Sequence, residues 1–233
     1  MIYRIKFEKR EEVKYIGHLD TMRTFTRCIK RTELPIKFSN GFNPRVQISF
    51  ALPLAVGVTS SGEYCDLELN GDVETDFVIS ELTKTMPVGF KILSCEKFEK
   101  VKSLMSLVKE AIYEINLDVN TDELENIVEN LKDLFSQDII EITKEGKAGK
   151  EEIKDIKPMI IDFIVEEINY RTIRLTVHST AGSKDNLNPN YVLQAVKNLL
   201  GEEVLEDYDI HRKELILEWI YNKILRSDYG SIS

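Results

Sequence analysis

The sequence predicts an α+β protein built from two tandem ferredoxin-like halves with antiparallel sheets. Short segments in which apolar and polar residues alternate are typical of half-buried strands. They are interleaved with segments whose apolar residues recur at helical spacing. In each half these segments follow roughly the order β-α-β-β-α-β, which is the split βαβ order. We therefore predict an N-terminal domain over residues 1–98 and a C-terminal domain over residues 108–233.

The first half opens with a strand and a helix. Residues 3–7 alternate with period two and predict a strand. Residues 18–32 predict a helix whose apolar stripe comprises Leu19, Met22, Phe25 and Ile29. The remaining elements are predicted as strands at residues 35–39, 46–54 and 64–69, a helix at 75–85 and a closing strand at 90–95.

The second half repeats the pattern after a junction near residues 99–107. Asn120 and Glu123 form a plausible capping box before a strongly amphipathic helix. Asn188, Pro189 and Gly201 have the residue types expected at the two ends of another helix. Strands are predicted at residues 111–119, 139–144, 160–167 and 172–178, and a mobile loop at 144–154; residues 210–219 fit a strand or a helix equally well.

Composition restricts the class of protein. No apolar run is long enough to span a bilayer, and the N-terminus lacks a signal-peptide layout, so we expect a cytoplasmic protein without membrane contact. The three cysteines, Cys28, Cys65 and Cys95, are too far apart for a closely spaced metal-binding set and are expected to be buried small hydrophobes. We accordingly expect no cofactor, iron–sulfur cluster or zinc site of the chain's own.

Charge is distributed unevenly along the chain. Its net charge is −9, but residues 1–50 carry eleven Lys and Arg against five acids, which is a net +6. The rest of the chain therefore carries −15. A basic segment on an acidic body is compatible with a polyanionic partner despite the negative total.

Four motifs follow one another within residues 17–60: a G-H-L-D box, an R-x-x-x-R helix, an S-x-G-F-N-P loop and an S-F-x-x-P-L-x-x-G-x-x-S stretch. In these motifs the sequence resembles the radical-SAM-associated protein family, a domain of unknown function found fused to or encoded beside radical-SAM enzymes. The resemblance extends more weakly to Asp155-Ile156-Lys157-Pro158, Asn188-Pro189 and Arg212. It implies a radical-SAM protein as the partner and no established activity.

Two features of the motif region are candidate nucleic-acid-binding elements. The first is a stripe of cations on one face of the first helix, which consists of Arg23, Arg27, Lys30 and Arg31. Such a stripe fits a phosphate-binding surface or a solvated helix face. The second is the loop of residues 39–45, in which Ser39, Asn40, Gly41, Asn43 and Arg45 suit anion binding or simply a tight turn.

His18 and Asp20 are the candidate catalytic residues. A histidine at a helix start suits proton transfer near neutral pH, although it equally suits packing of the turn. Since the two residues are only two positions apart, their spacing does not imply a dyad. His18, Arg23, Arg27, Asn43 and Arg45 would share one anion-binding cleft if the loop returned to the sheet rim at which His18 lies.

Three functions remain open. The first is an accessory RNA-binding module that acts with a radical-SAM enzyme, in tRNA or rRNA modification. The second is a metal-independent endoribonuclease-like enzyme, by analogy of layout with paired ferredoxin-like nucleases. The third is a protein-docking partner of a radical-SAM enzyme that makes no RNA contact. Whether the chain is an enzyme is therefore left undecided by the sequence.

Overall fold

A computed structural model describes residues 1–100, 102–121, 123–145, 151–182, 185–201 and 203–218. It confirms the α+β class. The strands are β1 (Ile2–Lys9), β2 (Ile48–Phe50), β3 (Thr59–Glu68), β4 (Phe90–Phe98), β5 (Val108–Val119), β6 (Glu141–Glu145), β7 (Glu151–Asp155), β8 (Ile160–Glu167), β9 (Thr172–Thr180) and β10 (Leu205–Leu217). The helices are α1 (His18–Ile29), α2 (Thr75–Thr85), α3 (Leu104–Leu107), α4 (Leu124–Ser136) and α5 (Pro189–Leu200).

The chain divides into two compact units. The first contains residues 1–109 and the described chain from Arg212 onward, whereas the second contains residues 110–211. β10 changes unit within its length, because its residues to His211 belong to the second unit and Arg212 to Leu217 belong to the first. The first unit is therefore assembled from both ends of the described sequence.

In the first unit, β1 lies between β3 and β4 and pairs antiparallel with both. The strand order β4-β1-β3 continues to β2, which pairs antiparallel with the last residues of β3. The first residues of β3 lie instead beside β10, where the hydroxyls of Ser60 and Ser61 donate to the carbonyls of Arg212 and Lys213, both at 2.9 Å. β3 thus has two different strands along one edge.

The core of the first unit is rich in aromatic rings. Phe25 of α1 lies 4.6 Å from Phe7, 5.3 Å from Phe50 and 5.4 Å from Phe90, measured between ring centroids. Phe25 and Ile29 are buried and Met22 is half-buried, as the predicted stripe requires, so α1 packs on the sheet. Leu19 departs from the prediction, since 67% of its surface is exposed. The inward face of the first turn is occupied by Thr21 instead.

The second unit has the strand order β10-β5-β9-β8, in which β9 pairs antiparallel with β5 and β8. The strands predicted at residues 160–167 and 172–178 are confirmed and pair antiparallel as β8 and β9. The helix capped by Asn188 is also confirmed, and the Asn188 side chain accepts a hydrogen bond from the Asn190 amide at 3.1 Å. β6 and β7 pair antiparallel and form a separate two-stranded sheet.

Several local predictions are wrong. The loop predicted over residues 144–154 contains β7 in residues 151–155, and residues 146–150 lie outside the described chain. The capping box at Asn120 and Glu123 is not formed, because α4 starts at Leu124 with Glu123 at its N-cap and no side-chain cap bond. The strand predicted at residues 35–39 is reduced to single bridges from Ile36 and Phe38. Residues 210–217, left undecided between strand and helix, belong to β10.

Candidate functional site

A buried lysine closes the turn that leads into α1. The Nζ of Lys9, at the end of β1, donates to the carbonyls of Lys14 at 3.1 Å and Ile16 at 2.8 Å. Only 3% of Lys9 is exposed. Because these carbonyls immediately precede Gly17, the N-cap of α1, the ammonium group holds in place the backbone from which His18 projects.

The fourth motif passes beside the same turn. The Gly57 amide donates to the Lys14 carbonyl at 2.9 Å. Gly57 has a φ of +84°, a left-handed conformation that side chains disfavour, which explains the glycine here. The G-H-L-D box and the S-F-x-x-P-L-x-x-G-x-x-S stretch are therefore brought together, although they are separated in sequence.

A small cavity lies between these two motifs. Its volume is about 10 Å³, roughly the space that one water molecule needs. The His18 ring borders it and packs edge-on against Phe50, with 5.8 Å between centroids. The cavity is lined by Phe7, Lys9, His18, Thr21, Phe50, Leu52, Leu54 and Glu63.

One lining residue of the cavity, Glu63, belongs to a buried ion pair. Arg212 of β10 donates from Nε to Oε1 of Glu63 at 2.8 Å and from Nη2 to Oε2 at 2.6 Å. Its Nη2 also donates to the Leu52 carbonyl at 3.1 Å. Arg212 is 1% exposed and Glu63 is 6% exposed, so both charges depend on these partners.

Burial shapes the acid–base properties of this cluster. It lowers the pKa of His18, and the nearby Glu63 carboxylate opposes that shift. Burial also lowers the pKa of Lys9, where Glu63 acts in the opposite direction and Arg212 in the same one. His18 is therefore a neutral imidazole at neutral pH, and it can accept a proton or a hydrogen bond.

Asp20 does not join this cluster. Its carboxylate is exposed and accepts a hydrogen bond from Nη1 of Arg23 at 2.8 Å, an i,i+3 ion pair on the outer face of α1. Arg27, Lys30 and Arg31 are also exposed and form no salt bridge within the part of the chain that the structure describes. The predicted stripe of cations is accordingly on the surface, with one member partly neutralised by Asp20.

The 39–45 loop projects a phenylalanine into solvent. The loop is closed by hydrogen bonds from the Ser39 amide to the Arg45 carbonyl at 2.8 Å and from the Arg45 amide to the Ser39 hydroxyl at 3.0 Å. Phe42, at its tip, is fully exposed. Asn40, Gly41, Asn43 and Arg45 are exposed as well, and Gly41 has a φ of +124°.

His18 and the 39–45 loop lie at opposite ends of β2. The loop connects to the start of β2, where Gln47 hydrogen-bonds with Lys37 and Glu68, whereas His18 contacts Phe50 at the end of β2. Four residues of extended chain separate Val46 from Phe50, or about 13 Å. The single cleft that would combine His18 with Asn43 and Arg45 is thus not formed, because the loop returns to the other rim of the sheet.

The sequence missed two members of the buried cluster. Lys9 has the same parity as Tyr3, Ile5 and Phe7, so extending the predicted alternation of β1 by two residues would have indicated an inward side chain at this position. Arg212 was singled out only through the family resemblance. Glu63 directly precedes the strand predicted at residues 64–69, and only the structure shows that it is inward, because residues 62–67 of β3 are all buried.

Within the described ranges, no group of three or more His, Cys, Asp or Glu side chains is arranged to hold a metal ion. Among the described helices, none has both the length and the apolar character needed to cross a bilayer.

Comparisons with known proteins place most of the chain in a family. A family profile described as an uncharacterized protein conserved in bacteria, DUF2344, matches residues 3–189. No curated protein matches the chain. A chain from the crystal structure of a Cbf5–Nop10–Gar1 complex is similar, with a TM-score of 0.49 and 12% identity over 98% of this chain and 56% of that chain. An unknown protein from Galdieria sulphuraria matches with a TM-score of 0.27 and 13% identity over 91% of this chain and 97% of that one.

Proposed function

Since the chain belongs to the DUF2344 family of uncharacterized bacterial proteins, we propose its function from the surface of its first unit: it is an accessory RNA-binding module. In this proposal it acts with a radical-SAM enzyme, the partner class that the motifs imply, in the modification of tRNA or rRNA. The observation that carries the proposal is the fully exposed Phe42 beside the exposed Arg45 on the 39–45 loop.

An exposed aromatic ring flanked by a guanidinium and amides suits unpaired RNA. Single-stranded bases stack on such rings, while cations neutralise the phosphates between them. The loop is fixed at its base by the hydrogen bonds between Ser39 and Arg45, so Phe42 is presented from a defined support. A base stacked on Phe42 would have its phosphate within reach of Arg45.

The cations of α1 extend this surface. After α1, Pro35 accepts a hydrogen bond from the Asn70 amide just beyond β3, so the chain has reached the sheet end from which the 39–45 loop projects. Lys30 and Arg31, which directly follow α1, therefore lie toward the same end of the unit as the loop. They offer phosphate contacts beyond the loop itself.

The strand orders support a finer assignment of the fold. β4-β1-β3-β2 and β10-β5-β9-β8 are the same arrangement when strands are numbered within each unit, and β6 and β7 are an insertion in the second. We infer two ferredoxin-like units, a topology that RNA-binding domains use.

Replacing Phe42 or Arg45 with alanine tests the RNA proposal. We expect Phe42→Ala to weaken binding of single-stranded RNA by about tenfold with an unchanged salt slope, since stacking is worth about 1–3 kcal/mol per base. Arg45→Ala and Arg27→Ala should weaken binding and also flatten its dependence on salt between about 50 and 200 mM, because each removes roughly one phosphate contact. Fluorescence anisotropy with labelled RNA measures both quantities.

The second unit provides matched controls. Tyr170 is 82% exposed but faces acidic residues, including Glu125, Glu129 and Glu167, and Arg171 lies next to it. Tyr170→Ala and Arg171→Ala should leave RNA affinity unchanged. Equal effects of Phe42→Ala and Tyr170→Ala, or no effect of either, would reject the 39–45 loop as the RNA-binding element.

A separate observation favours the alternative function, a protein that docks on a radical-SAM enzyme without contacting RNA. Tyr15, Leu19 and Val56 are exposed apolar side chains around the start of α1, and such groups suit a protein partner. Absence of measurable RNA binding by the unmodified chain, together with binding to a radical-SAM protein, would decide for this function.

A further inference from the structure

Three buried charged side chains of the first unit play no part in the proposed RNA surface. Lys9, Glu63 and Arg212 come from β1, β3 and β10 and are all at least nine-tenths buried. Such charges are costly unless each is paired or hydrogen-bonded. All three lie next to the cavity at the start of α1, two of them as lining residues.

Each of the three charges fixes a different side of the His18 pocket. Lys9 binds the two carbonyls that lead into α1. Arg212 binds the carbonyl of Leu52, and Leu52 lines the cavity. Glu63 lines the cavity itself and is held there by both nitrogens of the Arg212 fork.

We infer that Lys9, Glu63 and Arg212 are positioning residues for His18, and that the pairing of Arg212 with Glu63 limits the negative charge that reaches the imidazole. The pocket so formed has room for one water-sized group that donates a hydrogen bond, such as a hydroxyl or an amino group. This inference does not depend on RNA binding, because the 39–45 loop lies at the other end of β2.

The charged groups around His18 determine how its pKa should change in the variants. Lys9 from β1 and Glu63 from β3 line the cavity beside it, and Arg212 from β10 lies behind Glu63 as its ion-pair partner. Asp20 on its own helix is exposed and paired with Arg23. Among these, Glu63 is the group that raises the pKa of His18 against the lowering effect of burial. Arg212 neutralises that same carboxylate.

Proton NMR titration of the full chain tests the inference. The chain has only three histidines, His18, His178 and His211, and the His18 resonance is identified by its loss in His18→Gln. Glu63→Gln should lower the pKa of His18 further, because the raising carboxylate is removed. Arg212→Met should raise the pKa, because the carboxylate loses its counter-charge, and Arg212→Lys should restore it toward that of the unmodified chain.

If Glu63 and Arg212 had a purely structural role, the variants would change the pKa of His18 in a different way. In that case Glu63→Gln and Arg212→Met would both move the pKa toward 6.5, the ordinary value, as the pocket loosens, or neither would move it. Either result would overturn the inference. If Arg212→Met does not fold, Glu63→Gln and Arg212→Lys decide alone: a lowered pKa in the first and a nearly unchanged one in the second support the inference, and any other pair rejects it.

Discussion

Replacing Arg212 with methionine is expected to lower the free energy of unfolding by about 3–5 kcal/mol. The side chain is 1% exposed and forms a two-bond ion pair with Glu63. Without it, the buried Glu63 carboxylate loses its two hydrogen bonds and its paired charge, which is more costly than the loss of the pair's own attraction. Urea denaturation followed by circular dichroism measures the change.

A double variant separates the cost of leaving the Glu63 carboxylate buried without Arg212 from the loss of the pair's own attraction. Glu63→Leu combined with Arg212→Met removes both charges and keeps apolar volume, and such replacements of buried pairs are often neutral or stabilising. We expect the double variant to be more stable than Arg212→Met alone. If the two changes simply added, as independent sites do, the pair would not be coupled and the predicted cause of the destabilisation would be wrong.

Replacing Phe25 with alanine is expected to cost about 3–5 kcal/mol. The ring is fully buried and contacts Phe7, Phe50 and Phe90 at the centre of the first core. Its removal loses the transfer free energy of the ring and leaves a cavity that the sheet cannot fill. Thermal or urea unfolding of the purified chain gives the magnitude.

Leu19 supplies the control within the same helix. It belongs to the apolar stripe that the sequence predicts, but 67% of it is exposed. Leu19→Ala should therefore change the stability by no more than about 0.5 kcal/mol. A cost comparable to that of Phe25→Ala would mean that Leu19 is buried in solution and that α1 is oriented differently.

Local patterns predicted the elements whose apolar side chains face one core. The buried residues of β9, α1 and α4 follow the predicted alternation or spacing, and those of β1 do so except at Arg4, which is also buried. The prediction failed for β7, because its first residues are exposed on a separate hairpin and carry no apolar alternation. It also failed for Leu19, because a residue at roughly helical spacing can still lie off the packed face, which in the first turn of α1 is occupied by Thr21.

The site was only partly accessible to the same reasoning. The motifs drew attention to His18 and to the 39–45 loop, and the functional roles of both stay predictions. The position of the loop depends on which rim of the sheet the chain returns to, and no local pattern encodes that. The pairing of Glu63 with Arg212 joins residues 149 positions apart, and long-range pairs between charged residues leave no periodic signal in a single sequence.

That separation also orders the assembly of the pocket during protein synthesis. At about 5–20 residues per second, Arg212 is added to the growing chain roughly 7–30 s after Glu63. Throughout this interval the motifs around His18 exist without the guanidinium that pairs with Glu63. The first unit, although it contains the N-terminus, therefore completes its His18 pocket only after the whole second unit has been translated.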